Sequence, residues 1–197
     1  MLAAYDAVLR WVERLARLFA WLGGVMLLAM VALICLEIVL RRLAGVSLGL
    51  SFEYSGYVLG VAASWSFAYA LFHKAHIRID AAYVRLAPKG RIALDLVAMA
   101  AFAAFAVMCA QAALGVLTET LDRGTVSNTP LHTPMWIPQL LWVAGWLWFA
   151  VATVLLLGRV GLALAAGDFA AVTRLAGGAT IDEQIEEEAP SAEEIGK

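Results

Sequence analysis

Charge is scarce in this chain. Asp, Glu, Lys and Arg together make up 15% of its 197 residues, against 63% hydrophobic ones. A soluble domain carries roughly 25% charged residues, so the deficit, with a mean hydropathy of +0.82, points to an integral membrane protein. Cysteine is almost missing too. Cys35 and Cys109 lie inside apolar runs without a CxxC pattern, which reads as two small packing residues and not as a disulfide or redox pair. The middle third of every long apolar run holds no Asp, Glu, Lys, Arg or His. A secondary carrier concentrates polar and ionisable groups at that depth. By itself, then, the chain does not read as a pump, carrier or channel. The polar exceptions, Ser64, Ser66, Gln111 and Thr153, are scattered one or two per run and make a thin lining for an ion path.

Four apolar runs are present. Their spans are about 18–40, 52–72, 92–117 and 135–158. Each exceeds the roughly 20 residues that cross a ~30 Å hydrocarbon core at ~1.5 Å per residue. The expected fold is all-α, an integral membrane domain over residues 18–166. Residues 1–17 carry Arg10, Arg14 and Arg17 at helical spacing with Trp11 beside them, an interfacial lead-in. A signal peptide would have a shorter apolar core and a small-residue cleavage site, so the first run is read as a retained span. Gly167-Asp168 should break the chain and cap a short surface helix within 167–179. Seven of the sixteen acidic residues fall between Asp182 and Lys197. Residues 180–197 are accordingly expected to form a disordered acidic tail.

Sidedness follows from the basic residues. The stretch from His73 to Arg91 places Lys74, Arg78, Arg85, Lys89 and Arg91 between the second and third spans. The loop between spans one and two has only Arg41 and Arg42, and the loop between three and four only Arg123. Positive charge stays cytoplasmic, so both termini and the 2–3 loop are predicted inside. Within that loop Asp80 precedes Ala-Ala-Tyr-Val-Arg-Leu-Ala, with Ile79 and Val84 placed as a staple. This predicts a short amphipathic helix on the cytoplasmic surface between spans two and three.

Candidate packing faces stand out on two spans. Gly56, Gly60, Ser64 and Ala68 are four apart, the spacing at which small residues let helices approach closely in membranes. Trp142 and Trp146 lie deep in the fourth run, placed to fill the bundle, to face a partner, or merely as lipid-facing bulk, while Trp136 suits the aromatic belt. Haem ligation by a histidine pair fails on topology: His73 and His76 lie at the inner end and His132 at the outer. No Ser/His/Asp grouping, phosphate loop or paired-carboxylate site emerges. No enzyme activity, cofactor, metal or nucleic-acid partner is expected.

The stretch SFEYSGYVLGVAASWSFAYALFHKAHIRIDAAYVRLAP resembles the small membrane subunit of TRAP transporters, the DctQ-like family. Arg41 or Arg42, Glu53, His76, Asp80 and Pro88 stand where that family carries its motif residues, and Ser127, Pro134 and Trp136 resemble its entry into the fourth helix. The resemblance covers roughly residues 15–160. It implies an accessory subunit in the bacterial inner membrane that scaffolds a large sodium-driven membrane subunit. It also implies help in docking a periplasmic binding protein for uptake of an organic acid. On this view Glu37, Arg41, Arg42 and Glu53 are candidates to bridge to those partners, with Gly56, Gly60, Ser64, Trp142 and Trp146 as candidate membrane contacts. His76, Arg78 and Asp80 would anchor the cytoplasmic loop. The competing readings are a self-contained four-helix redox or haem protein and a homo-oligomeric channel built on the small-residue face.

Overall fold

A computed structural model of the chain describes residues 2–45, 49–74 and 88–176. Within them the chain is helical, with α1 Leu2–Ala44, α2 Leu50–Phe72, α3 Pro88–Arg123, α4 Trp136–Ala165 and a short α5 Phe169–Ala176. The four long helices are each long and apolar enough to cross a membrane. The expected all-α fold with four spans is what the chain adopts.

Two helices run well past the boundaries read from hydropathy. α1 is unbroken from Leu2 to Ala44, so no helix break separates the lead-in at 1–17 from the span at 18–40. The reason is local: between Leu2 and Leu22 there is no Gly or Pro, and the Arg residues there are good helix formers. α3 begins at Pro88, a residue whose fixed φ and missing N–H suit the first helical position. Its far end overruns residue 117 to Arg123. Residues 167–179 contain α5, whose Ala171 and Val172 are buried. Asp168 caps it, its Oδ1 accepting the Ala171 N–H at 2.9 Å, and Gly167 makes the break with φ +72°. The amphipathic helix expected between spans two and three, with His76, Arg78 and Asp80, and the acidic tail lie outside the described residues.

α2 and α4 form the centre of the domain, and α1 and α3 flank them. α1 packs chiefly along α2, α3 packs along α4, and α5 lies across the ends of α3 and α4. Close approach is bought with small residues at two crossings. A Cβ on Gly145 would sit 2.8 Å from the carbonyl carbon and the Cβ of Ser64, and one on Gly23 only 3.2 Å from the Ala62 Cα. The core is alanine-rich for the same reason: Ala16, Ala68, Ala106, Ala110 and Ala152 are buried around Phe149 and Leu156. Aromatic rings fill the wider gaps. Phe67 of α2 lies between Trp146 and Phe149, with ring centroids 5.1 and 5.6 Å away, and Trp148 meets Phe19 of α1 edge-on at 5.5 Å.

Three of the four polar residues noted within the spans bond to their own helices; the fourth, Gln111, is exposed. Ser64 donates to the Val61 carbonyl, Ser66 to Ala62 and Thr153 to Phe149, at 2.9, 2.8 and 2.7 Å. A hydroxyl bonded to its own helix backbone is satisfied within hydrocarbon. These three groups line no path. Meanwhile α1 leaves an apolar stripe open, including Trp21, Val25, Leu28, Val31 and Ile38, and α3 leaves Val97, Phe105 and Met108 open.

Candidate functional site at the end opposite the termini

The antiparallel spans bring the α1–α2 and α3–α4 connections to one end and the first residues of α1, with α5, to the other. Two carboxylates are buried at the connection end, Glu37 and Glu53 at 2% and 6% exposure. Burying an ionised carboxylate is costly unless it is well hydrogen-bonded. Both are.

Glu37 projects from α1 to the start of α2. The first N–H groups of a helix have no partner within it, and Gly49, the residue before α2, offers no side chain to cap it. Glu37 fills that role from another helix. Its Oε1 accepts the Gly49 N–H at 3.2 Å and its Oε2 the Ser51 N–H at 3.1 Å. A negative charge there also complements the helix dipole. Gly49 is left-handed, φ +68°, which lets the chain turn sharply into the cap. Arg41, one turn along α1, places Nη2 3.2 Å from Glu37 Oε1 while staying largely exposed.

Glu53, in the first turn of α2, holds the other connection. Tyr57, four residues on, donates to Oε1 at 3.1 Å, and Thr129 of the α3–α4 connection donates to Oε2. Thr129 in turn shares a 2.9 Å hydroxyl bond with Ser127. The Ser127 Oγ accepts the Thr133 N–H at 3.0 Å, and the Ser127 N–H bonds back to the Thr133 carbonyl at 2.9 Å. A Val126–Pro134 bridge and the Met135 N–H on the Thr125 carbonyl close this segment into a hairpin. Pro134 and Pro138 fit because neither N–H is needed there: one lies outside α4 and the other in its first turn.

The candidate residues thus divide. Glu37, Glu53 and Ser64 face inward and bond within the chain; Trp146 is half-buried against Phe67 and Phe149. Arg41, Arg42 and Gly56 are exposed. Gly60 and Trp142 meet at a groove of about 280 Å³ that Gly56, Val116, Met135, Pro138 and Gln139 also line. The small-residue stripe is therefore split: Ser64 and Ala68 are buried, Ser64 in the α2–α4 crossing, while Gly56 borders open space and Gly60 lies beside Trp142 at the groove. Among the described residues no cluster of three His, Cys, Asp or Glu could hold a metal.

Reading the sequence missed three relationships. Tyr57 could have been found, being four residues from Glu53 on one helix face. Thr129 could not, since its approach to Glu53 depends on the hairpin's shape. The third is at the opposite end, where Arg159 of α4 pairs with Asp6 of α1 at 2.6 Å, and the Tyr5 hydroxyl donates to the Leu155 carbonyl at 2.6 Å. Gly158 makes room for it, since a Cβ there would lie 2.6 Å from that hydroxyl. No periodicity signals a pairing across 153 positions.

Residues 30–161 match the family described as tripartite ATP-independent periplasmic transporters, DctQ component. No curated protein matches the chain, and no solved structure does. DctQ is a transporter component family and not an enzyme family. With four membrane-length helices in an all-α fold, and two-thirds of the sequence within the match, the chain belongs to the DctQ family: it is the small, multi-pass membrane subunit of a TRAP transporter.

Proposed function

We propose that this subunit works as a scaffold. It holds the large, sodium-coupled membrane subunit in the inner membrane and helps dock the periplasmic binding protein, for uptake of an organic acid. The observation that carries the reading is the division of its polar groups. Mid-span hydroxyls are spent on their own helices, while the buried carboxylates are spent on fastening the two connections at one end. Such a chain has fixed shape and broad apolar flanks. Among the described residues, its mid-span hydroxyls offer no stepping stones for a solute.

In this reading both termini are cytoplasmic and the Glu37–Glu53 end faces the periplasm, in accord with the basic residues crowded into the opposite end. Gly56, Gly60 and Trp142 border the groove that a helix of the large subunit enters, because small residues permit the close packing that stabilises helix pairs in lipid. Arg41 and Arg42 reach toward partners at the outer boundary. Glu37, Glu53, Ser64 and Trp146 act indirectly, by setting the shape those residues present. His76, Arg78 and Asp80 anchor the cytoplasmic loop.

Co-expression with the large subunit tests this. Gly56→Leu fills the groove from a position where a Cβ meets nothing within 4 Å, and should cut recovery of the large subunit with this chain at least tenfold while the chain still inserts. Undiminished solute uptake by the large subunit with this chain deleted would overturn the scaffold reading.

A further inference from the structure

The hairpin at residues 124–135 is built more firmly than a connection between two spans requires. Its two arms meet in a single bridge at Val126 and Pro134. Its interior is tied by the Ser127–Thr133 pair of bonds, and its middle is fastened to α2 by Thr129 on Glu53. The fastening consumes a carboxylate that is 94% buried. An apolar residue of like volume would cost less to bury, so stability alone does not account for Glu53. What Glu53 provides is a fixed position for the hairpin. At its tip Asn128, Pro130, Leu131 and His132 are all exposed, and His132 sits in left-handed backbone, φ +46°. A non-glycine residue held there is strained backbone of the kind that clusters at recognition sites.

The geometry points to this hairpin as a preformed epitope for the soluble binding component of the transporter, with Leu131 and His132 as its contact tip. The inference rests on the docking role proposed above and gives it a place on the chain. A membrane partner has the apolar flanks of α1 and α3 to pack on. The hairpin instead caps the bundle at its end, where a water-borne partner approaching along the membrane normal meets it first. A partner that must bind and leave in every cycle also gains most from a surface already ordered. The ordering cost is then met on folding, not at each encounter.

The test uses the assembled large and small subunits in nanodiscs, with the fluorescently labelled soluble component of the same transporter titrated onto them. In a Cys35→Ala, Cys109→Ala background, a single cysteine replaces Leu131 or, for comparison, Leu43, an exposed residue at the end of α1 beside the α1–α2 connection. Each is coupled to a polyethylene glycol maleimide only after assembly, so folding is not at issue. The label at position 131 should raise the dissociation constant at least tenfold, and the label at position 43 less than twofold. A constant unchanged by the label at 131 but raised by the one at 43 overturns the hairpin assignment and leaves docking by this subunit standing. Equal binding to the large subunit alone, or no binding to the assembled pair, overturns both.

Discussion

Ser64 and Gly145 meet where α2 crosses α4, so closely that a methyl group on Gly145 would lie 2.8 Å from two carbon atoms of Ser64, one of them backbone. Backbone cannot step aside as a flexible side chain can. Gly145→Ala should therefore wedge the central pair apart and lower stability by about 1–3 kcal/mol, the usual range for overpacking. Gly161→Ala, where a Cβ meets nothing within 4 Å, should be neutral or slightly stabilising through helix propensity. Thermal unfolding of the two variants in one detergent measures the contrast.

Glu37 and Arg41 form an ion pair of unequal members. The carboxylate is buried and caps α2, whereas the guanidinium is mostly exposed. Glu37→Ala strands the Gly49 and Ser51 N–H groups and should cost about 1–3 kcal/mol. Arg41→Ala should cost about 0–1 kcal/mol, as exposed pairs do. Equal losses in the two variants would show that the pair, and not the cap, is what matters.

Hydrogen exchange reads the hold of Glu53 on the hairpin directly. In the native chain the Ser127 and Thr133 amides are bonded across the hairpin. Glu53→Ala removes the acceptor of Thr129, and those amides should exchange at least tenfold faster. Amides in α1 near Gly23, remote from the hairpin, should keep their native rates.

Asp6 and Arg159 tie the first helix to the fourth at the opposite end. Their side chains are partly exposed, so a double-mutant cycle of Asp6→Asn and Arg159→Gln should return a coupling of about 0.5–1 kcal/mol. That coupling should shrink in high salt. A coupling near zero would mean that the Tyr5–Leu155 bond holds the two helices there by itself.

The membrane spans were legible because hydropathy sums over twenty or more residues, a signal that no single residue can spoil. Helix ends were less so. α1 runs through the expected boundary at residue 17 because helix propensity does not change where hydropathy does. The candidate site was half visible. Glu37, Arg41 and Glu53 drew notice as candidates to bridge to partners. That both carboxylates turn inward could not be seen, because the groups they bind are backbone N–H of Gly49 and Ser51 and the hydroxyl of Thr129. Backbone donors leave no mark in a sequence, and Thr129 comes near only through the bend at residues 124–135. Gly145 had the same fate: its value lies wholly in Ser64, 81 positions earlier.

Asp6 and Glu37 both stand on α1, which has no break between them. The rise from one to the other is about 46 Å, more than the hydrocarbon thickness of a bilayer. One residue is clamped to α4 and the other to the start of α2. α1 is thus a rod held near both of its ends. A displacement at one clamp travels along unbroken helix to the other. The two ends of the bundle are joined through a single stiff member.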